Sequence, residues 1–149
     1  MQDFSYGAIF EKGEDHGIVV SFPDVPEAIS QGDDVADAET MAADALALAL
    51  LSYLDRGLAL PTARKAATAQ GKKLRYVSVE PTTAAKLAVL SAFADAKISK
   101  SALARRIGKD EKEVRRILDP WHATKLAPLT VTLRALGKRL VVGVTDAAA

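Results

Sequence analysis

Apolar residues recur at every second position from Phe4 through Tyr6 and Ala8 to Phe10, alternating with Ser5, Gly7 and Ile9. That period predicts a β-strand. Lys12-Gly13-Glu14-Asp15 has turn chemistry, and the alternation resumes at Ile18, Val20 and Phe22, so the two runs predict a hairpin. Phe22-Pro23-Asp24-Val25-Pro26 ends the second strand, because proline has no N–H for a ladder. A short third strand is predicted around Ala28 to Gln31, ending at Gly32.

At Asp34 the period changes. Asp34 is a good helix N-cap, and Asp37 stands three residues on, where a capping box places an acid. A long helix is predicted over 35–56, with Met41, Ala45, Leu48 and the Ala49/Leu51/Leu54 group as its apolar face. Gly57 ends it and Pro61 prevents its resumption. Residues 62–73 read as a loop or a short irregular helix. Leu74, Tyr76 and Val77-Ser78-Val79 predict a further strand, closed by Pro81. The result is a small β-β-β-α-β domain over 1–80, its helix packed on one face of the sheet.

Beyond Pro81 the pattern is helical. Thr82 or Thr83 can cap a helix bearing Leu87, Val89, Leu90 and Phe93; Ser99 can cap the next, over 100–107, which Gly108 ends. Lys109-Asp110 opens another, running to about Leu118 and stopped by Asp119-Pro120. A last helix is predicted over 128–136, ending at Gly137. Leu140-Val141-Val142 and Val144 predict a closing β-run, with Ala147–Ala149 as a frayed tail. The fold class is therefore α+β, with domains over 1–80 and 81–149.

Composition narrows the class. The 149 residues are 49% hydrophobic, 26% charged and 5% aromatic, the profile of an ordinary soluble globular protein. With no cysteine, disulfides and thiolate metal sites are excluded. The start MQDFSYG has neither a basic nor an apolar leader region, and the apolar run Ala45–Leu51 is too short to span a bilayer, so a cytoplasmic location is expected. The net charge of +1 conceals a division. Residues 1–80 hold 13 acidic against 7 basic side chains, a net −6, and residues 81–149 hold 13 basic against 6 acidic, a net +7. An acidic half joined to a basic half points to two partners of opposite charge.

The segment from Lys100 to Asp119 carries the clearest chemistry. A DNA-reading helix-turn-helix needs a small residue where its helices approach, a glycine at the turn and apolar residues pinning the second helix. Ala104 is the small residue and Gly108 the turn; Leu103 and Ile107 face inward from the first helix, Val114 and Ile117 from the second. The run Ser101-Ala-Leu-Ala-Arg-Arg-Ile-Gly108 resembles the first half of the Cro/repressor-like motif. Glu111, Lys112, Arg115 and Arg116 must then face outward. Lys112 and Arg115, followed by Arg116, are the base-reading candidates, since arginine donates twice to guanine and lysine does so less rigidly. Glu111 can accept from cytosine N4 or serve the charge balance at the helix start. Lys100, Lys109 and Lys125 are candidate phosphate contacts. Trp121 reads as a packing anchor and His122 as a structural or solvent hydrogen-bonding group.

No enzyme chemistry emerges. The first strand, Phe4 to Phe10, contains no acid, and Asp24, Glu27, Asp33, Asp34 and Asp37 cluster at a loop and a helix start, which is capping and solvation chemistry rather than a two-metal clamp. There is no phosphate-cradling glycine loop, no nucleophile elbow, and His16 stands without a neighbour to complete a metal site. No cofactor and no metal are expected.

Val20-Ser-Phe-Pro-Asp-Val-Pro-Glu-Ala28, then Gln31-Gly-Asp33 and an alanine-rich helix, resembles the N-terminal domain of HicB antitoxins. Ala102-Leu-Ala-Arg-Arg-Ile-Gly108, His122-Ala-Thr-Lys125 and Leu136-Gly-Lys138 resemble that family's helix-turn-helix branch rather than its ribbon-helix-helix branch. The resemblance covers nearly the whole chain. It implies a reduced RNase H-like N-terminal domain without nuclease activity, which binds and blocks HicA, a small mRNA-cleaving toxin. It also implies a C-terminal domain that dimerises and represses the protein's own operon. A basic RNA-binding toxin suits an acidic face, placed near Asp24, Glu27, Asp33 and Asp34. The alternative is a stand-alone transcriptional regulator whose N-terminal domain senses a ligand.

Overall fold

The computed structural model describes residues 1–146. The chain divides into two compact units, one running from Met1 to Ala84 and the other beginning at Ala85.

In the first unit, β1 (Ser5–Lys12) pairs antiparallel with β2 (Ile18–Ser21), setting Phe10 opposite Val20. β3 (Ile29–Gly32) continues the meander, with Ser30 opposite Val20. After α1 (Val35–Asp55) the chain forms a small hairpin of β4 (Thr68–Ala69) and β5 (Lys72–Lys73), then β6 (Arg75–Ser78), which pairs antiparallel with the free edge of β1. The sheet order is β3-β2-β1-β6. The hairpin falls in the stretch expected to be loop or irregular helix. Its turn, Gln70-Gly71, has φ of 55° and 73°, the double left-handed geometry of a tight hairpin. Strands of two residues are too short to leave an apolar alternation in the sequence.

Asp34 caps α1 as expected: its Oδ1 accepts the Asp37 N–H at 2.8 Å, and Asp37 Oδ2 accepts the Asp33 N–H at 2.8 Å. The buried face of α1, however, is Ala38, Ala42, Leu46 and Leu50, not the one expected; Met41 and Leu48 are exposed. The run Ala45–Leu51 is apolar all round, so periodicity gives it no phase. Close approach to the sheet decides the face instead. Gly32 lies so near the helix that a Cβ on it would stand 2.3 Å from the Ala38 nitrogen, and only small residues fit there. Tyr6, Ala8, Val20 and Val77 are buried and share one sheet face by register. Ile9, on the other face, is buried as well, and Leu74 lies against Gly7, so β1 is covered on both sides.

The second unit is built by α2 (Pro81–Ala96) from Ala85 onward, α3 (Lys100–Ile107), α4 (Glu111–Ile117) and α5 (Leu126–Ala135). α2 begins before Thr82 and Thr83. Pro81 takes its first position and Glu80 O accepts the Ala84 N–H, an arrangement that costs nothing because proline has no N–H to satisfy. α5 begins two residues earlier than expected. Val89, Leu103, Val114, Ile117, Leu129 and Leu133 form the centre of the core. The closing β-run is absent: residues 136–146 form no strand, Val141, Val142 and Val144 are exposed, and Leu140 packs partly on the core. A strand needs a neighbour for its backbone groups, and the described residues of this unit offer none. The expected fraying of Ala147–Ala149 lies outside the described residues.

Candidate nucleic-acid interface and acidic surface

Ser99 Oγ accepts the Ala102 N–H at 3.0 Å and starts α3. Gly108 ends it at φ 67° and ψ 33°, a left-handed conformation that turns its N–H and that of Lys109 onto Ala104 O. Two residues later Asp110 Oδ1 accepts the Glu113 N–H at 2.8 Å and starts α4. Gly108, Lys109 and Asp110 thus make the whole connection. Leu103 and Ala104 from α3 and Val114 and Ile117 from α4 are buried, while Ile107 is half-buried.

The inward positions leave Glu111, Lys112, Arg115 and Arg116 exposed on α4. Glu111 is already engaged: it accepts from the Ser101 hydroxyl of α3 and from Arg115 Nη2 at 3.3 Å. With Glu111 and Glu113 in the first turn and Arg115 and Arg116 in the last, α4 also matches its own dipole. Lys100, Lys109 and Lys125 are exposed and each lies at the amino end of a helix: the first residue of α3, the turn before α4 and the N-cap of α5. Trp121 is not the packing anchor expected, since 51% of it is exposed. Its backbone N–H donates to Asp119 Oδ1 at 2.9 Å. His122 Nδ1 lies 3.1 Å from Thr124 Oγ1, in line with a structural hydrogen bond.

Lys86 escapes a pattern reading, its one mark being a single cation inside the apolar run Ala84–Leu90. It is 4% exposed. Its Nζ donates to Ile117 O at 2.7 Å, Asp119 O at 3.0 Å and Thr124 Oγ1 at 2.7 Å. Burial pulls its pKa down to about 8, against the opposing pull of the Asp119 carboxylate. The ammonium therefore closes off carbonyls at the C-terminal end of α4 that the helix itself leaves open.

In the first unit, three of the four acids assigned to a partner already have intramolecular ones. Asp24 receives Arg64 Nε at 2.5 Å and the Arg64 N–H at 2.9 Å, fastening the segment before β4. Tyr6 helps by donating its hydroxyl to Pro61 O at 2.7 Å; burial, reinforced by Asp24, raises its pKa and keeps it a donor. Glu27 accepts from Tyr53, and Asp34 caps α1; Asp33 is exposed. Among the described residues no three His, Asp or Glu side chains gather as a metal site, and no helix is long and apolar enough to cross a membrane.

The family model described as the HicB_like antitoxin of bacterial toxin–antitoxin systems matches residues 5–87. Antitoxin HicB 1 of Photorhabdus laumondii is 34% identical over 97% of this chain and 89% of its own length. Antitoxin HicB of Escherichia coli strain K12 is 36% identical over 83% and 87%, and Antitoxin HicB of Pseudomonas fluorescens 31% over 92% of each. A match over 97% of the chain extends through α3 and α4 as well as the sheet unit. The chain belongs to the HicB-like antitoxin family of bacterial toxin–antitoxin systems and is not an enzyme.

Proposed function

We propose that this chain is a cytoplasmic antitoxin that binds and neutralises a small HicA-like, mRNA-cleaving toxin and represses its own operon through α3 and α4. The sheet unit, read as a reduced RNase H-like fold, is the toxin-binding domain, its acidic surface around Asp24, Glu27, Asp33 and Asp34 meeting a basic partner. The helical unit, read as a Cro/repressor-like domain, binds double-stranded operator DNA as a homodimer or higher homo-oligomer. Lys112, Arg115, Arg116 and Glu111 face base edges, and Lys100, Lys109 and Lys125 meet phosphates.

The observation that carries the DNA reading is the three-residue turn at Gly108, which buries Val114 and Ile117 and leaves Lys112, Arg115 and Arg116 exposed on α4. Fluorescence anisotropy of the purified protein on DNA from upstream of its own gene tests it. The expected result is binding well above that to scrambled DNA, with two half-sites about 34–36 Å apart or a multiple of that. Equal binding to both DNAs contradicts it.

A further inference from the structure

Resting on that DNA reading, we propose that Lys86 is a positioning residue for recognition: its buried ammonium fastens the C-terminal end of α4 to α2 and to the loop holding Thr124, and so fixes how Lys112, Arg115 and Arg116 are presented to DNA. α4 has seven residues, about two turns, and so short a helix has little rigidity of its own. One end is held by Asp110. The other is held by Lys86, which reaches Ile117 O, Asp119 O and Thr124 Oγ1 together. All its donors are spent inward and it is 4% exposed, so it touches no phosphate. A buried cation adds little net stability, because its desolvation offsets its hydrogen bonds. What three fixed acceptors do supply is a defined place for the helix end. Hydrogen bonds to base edges demand such definition, whereas phosphate contacts by mobile lysines tolerate its loss.

The test separates specific from non-specific affinity. Lys86→Met, Thr124→Val and Thr124→Ser proteins, each confirmed as folded by circular dichroism at the assay temperature, are titrated with the promoter DNA of the protein's own operon and with scrambled DNA across a salt series. Lys86→Met should bind promoter DNA about tenfold more weakly. Its affinity for scrambled DNA and its salt slope should not change, because the slope counts phosphates. Thr124→Val should move the same way by less, and Thr124→Ser, which keeps the hydroxyl, should stay near wild type. If Lys86→Met does not fold, the Thr124 pair carries the test. A folded Lys86→Met or, failing that, Thr124→Val protein with wild-type promoter affinity overturns the proposal, as does a parallel loss on both DNAs. A wild-type protein with no preference for the promoter overturns the DNA reading itself, and recognition by Lys86 with it.

Discussion

The hydroxyl of Tyr53, in the last turn of α1, lies 2.8 Å from both carboxylate oxygens of Glu27, in the segment that leads into β3. This hydrogen bond lowers the Glu27 pKa below its ordinary 4.5. A carboxylate so depressed adds stability that is present above its unfolded value and lost as pH falls through its folded one. In Tyr53→Phe, the Glu27 carboxyl followed by NMR should titrate back near its ordinary value, and the acid limb of the stability profile should flatten. An unchanged titration would show that the hydrogen bond does not set it.

Substitution by alanine at either of two glycines should lower stability, by different amounts and for different reasons. At Gly32 the new Cβ would stand 2.3 Å from the Ala38 nitrogen and 2.5 Å from its Cα, both backbone atoms that cannot step aside. Gly32→Ala should cost about 3 kcal/mol or more, or leave the sheet unit unfolded. At Gly108 a Cβ meets nothing within 4 Å, so only the left-handed backbone resists, at about 1–2 kcal/mol. Urea denaturation of the two variants checks the order; a milder effect at Gly32 would contradict the close approach of α1.

Asp110→Ala removes the cap of α4 and should cost about 1 kcal/mol in the same assay. Because the cap holds the start of the proposed reading helix, promoter affinity should fall as well. A stability loss with unchanged binding would place the DNA contacts elsewhere.

Arg115 and the lysines should part company in their salt dependence. Arg115→Ala should weaken promoter binding by about 1–3 kcal/mol with relaxed sequence preference if it reads a base. Lys100→Ala or Lys109→Ala should weaken all DNA alike and lower the salt slope by about 1 for each phosphate no longer neutralised. Anisotropy titrations across a salt series distinguish the two classes.

The elements that were legible in the sequence are those with strong local chemistry. Ser99, Gly108 and Asp110 punctuate α3 and α4 where their side-chain and backbone preferences demand, and Asp34 starts α1 for the same reason. What escaped was set by distant neighbours. The phase of α1 is fixed by its approach to Gly32, fifteen or so residues from the apolar run that obscured it. The valines after Gly137 have β-propensity but no strand to pair with among the described residues of their own unit. On the acidic surface, the residue types were plain while their engagements, Asp24 with Arg64 and Glu27 with Tyr53, span 40 and 26 positions. Lys86 is the same case: its role is defined by carbonyls some thirty residues away.

The central claim, that this chain restrains a toxin through one unit and DNA through the other, is tested most directly by affinity purification of the tagged protein from its native host, with mass spectrometry of what accompanies it. The account predicts a stoichiometric small basic protein that arrests growth when expressed alone and ceases to do so when this chain is supplied. Recovery of the protein without such a partner, or with one that is harmless alone, would contradict it.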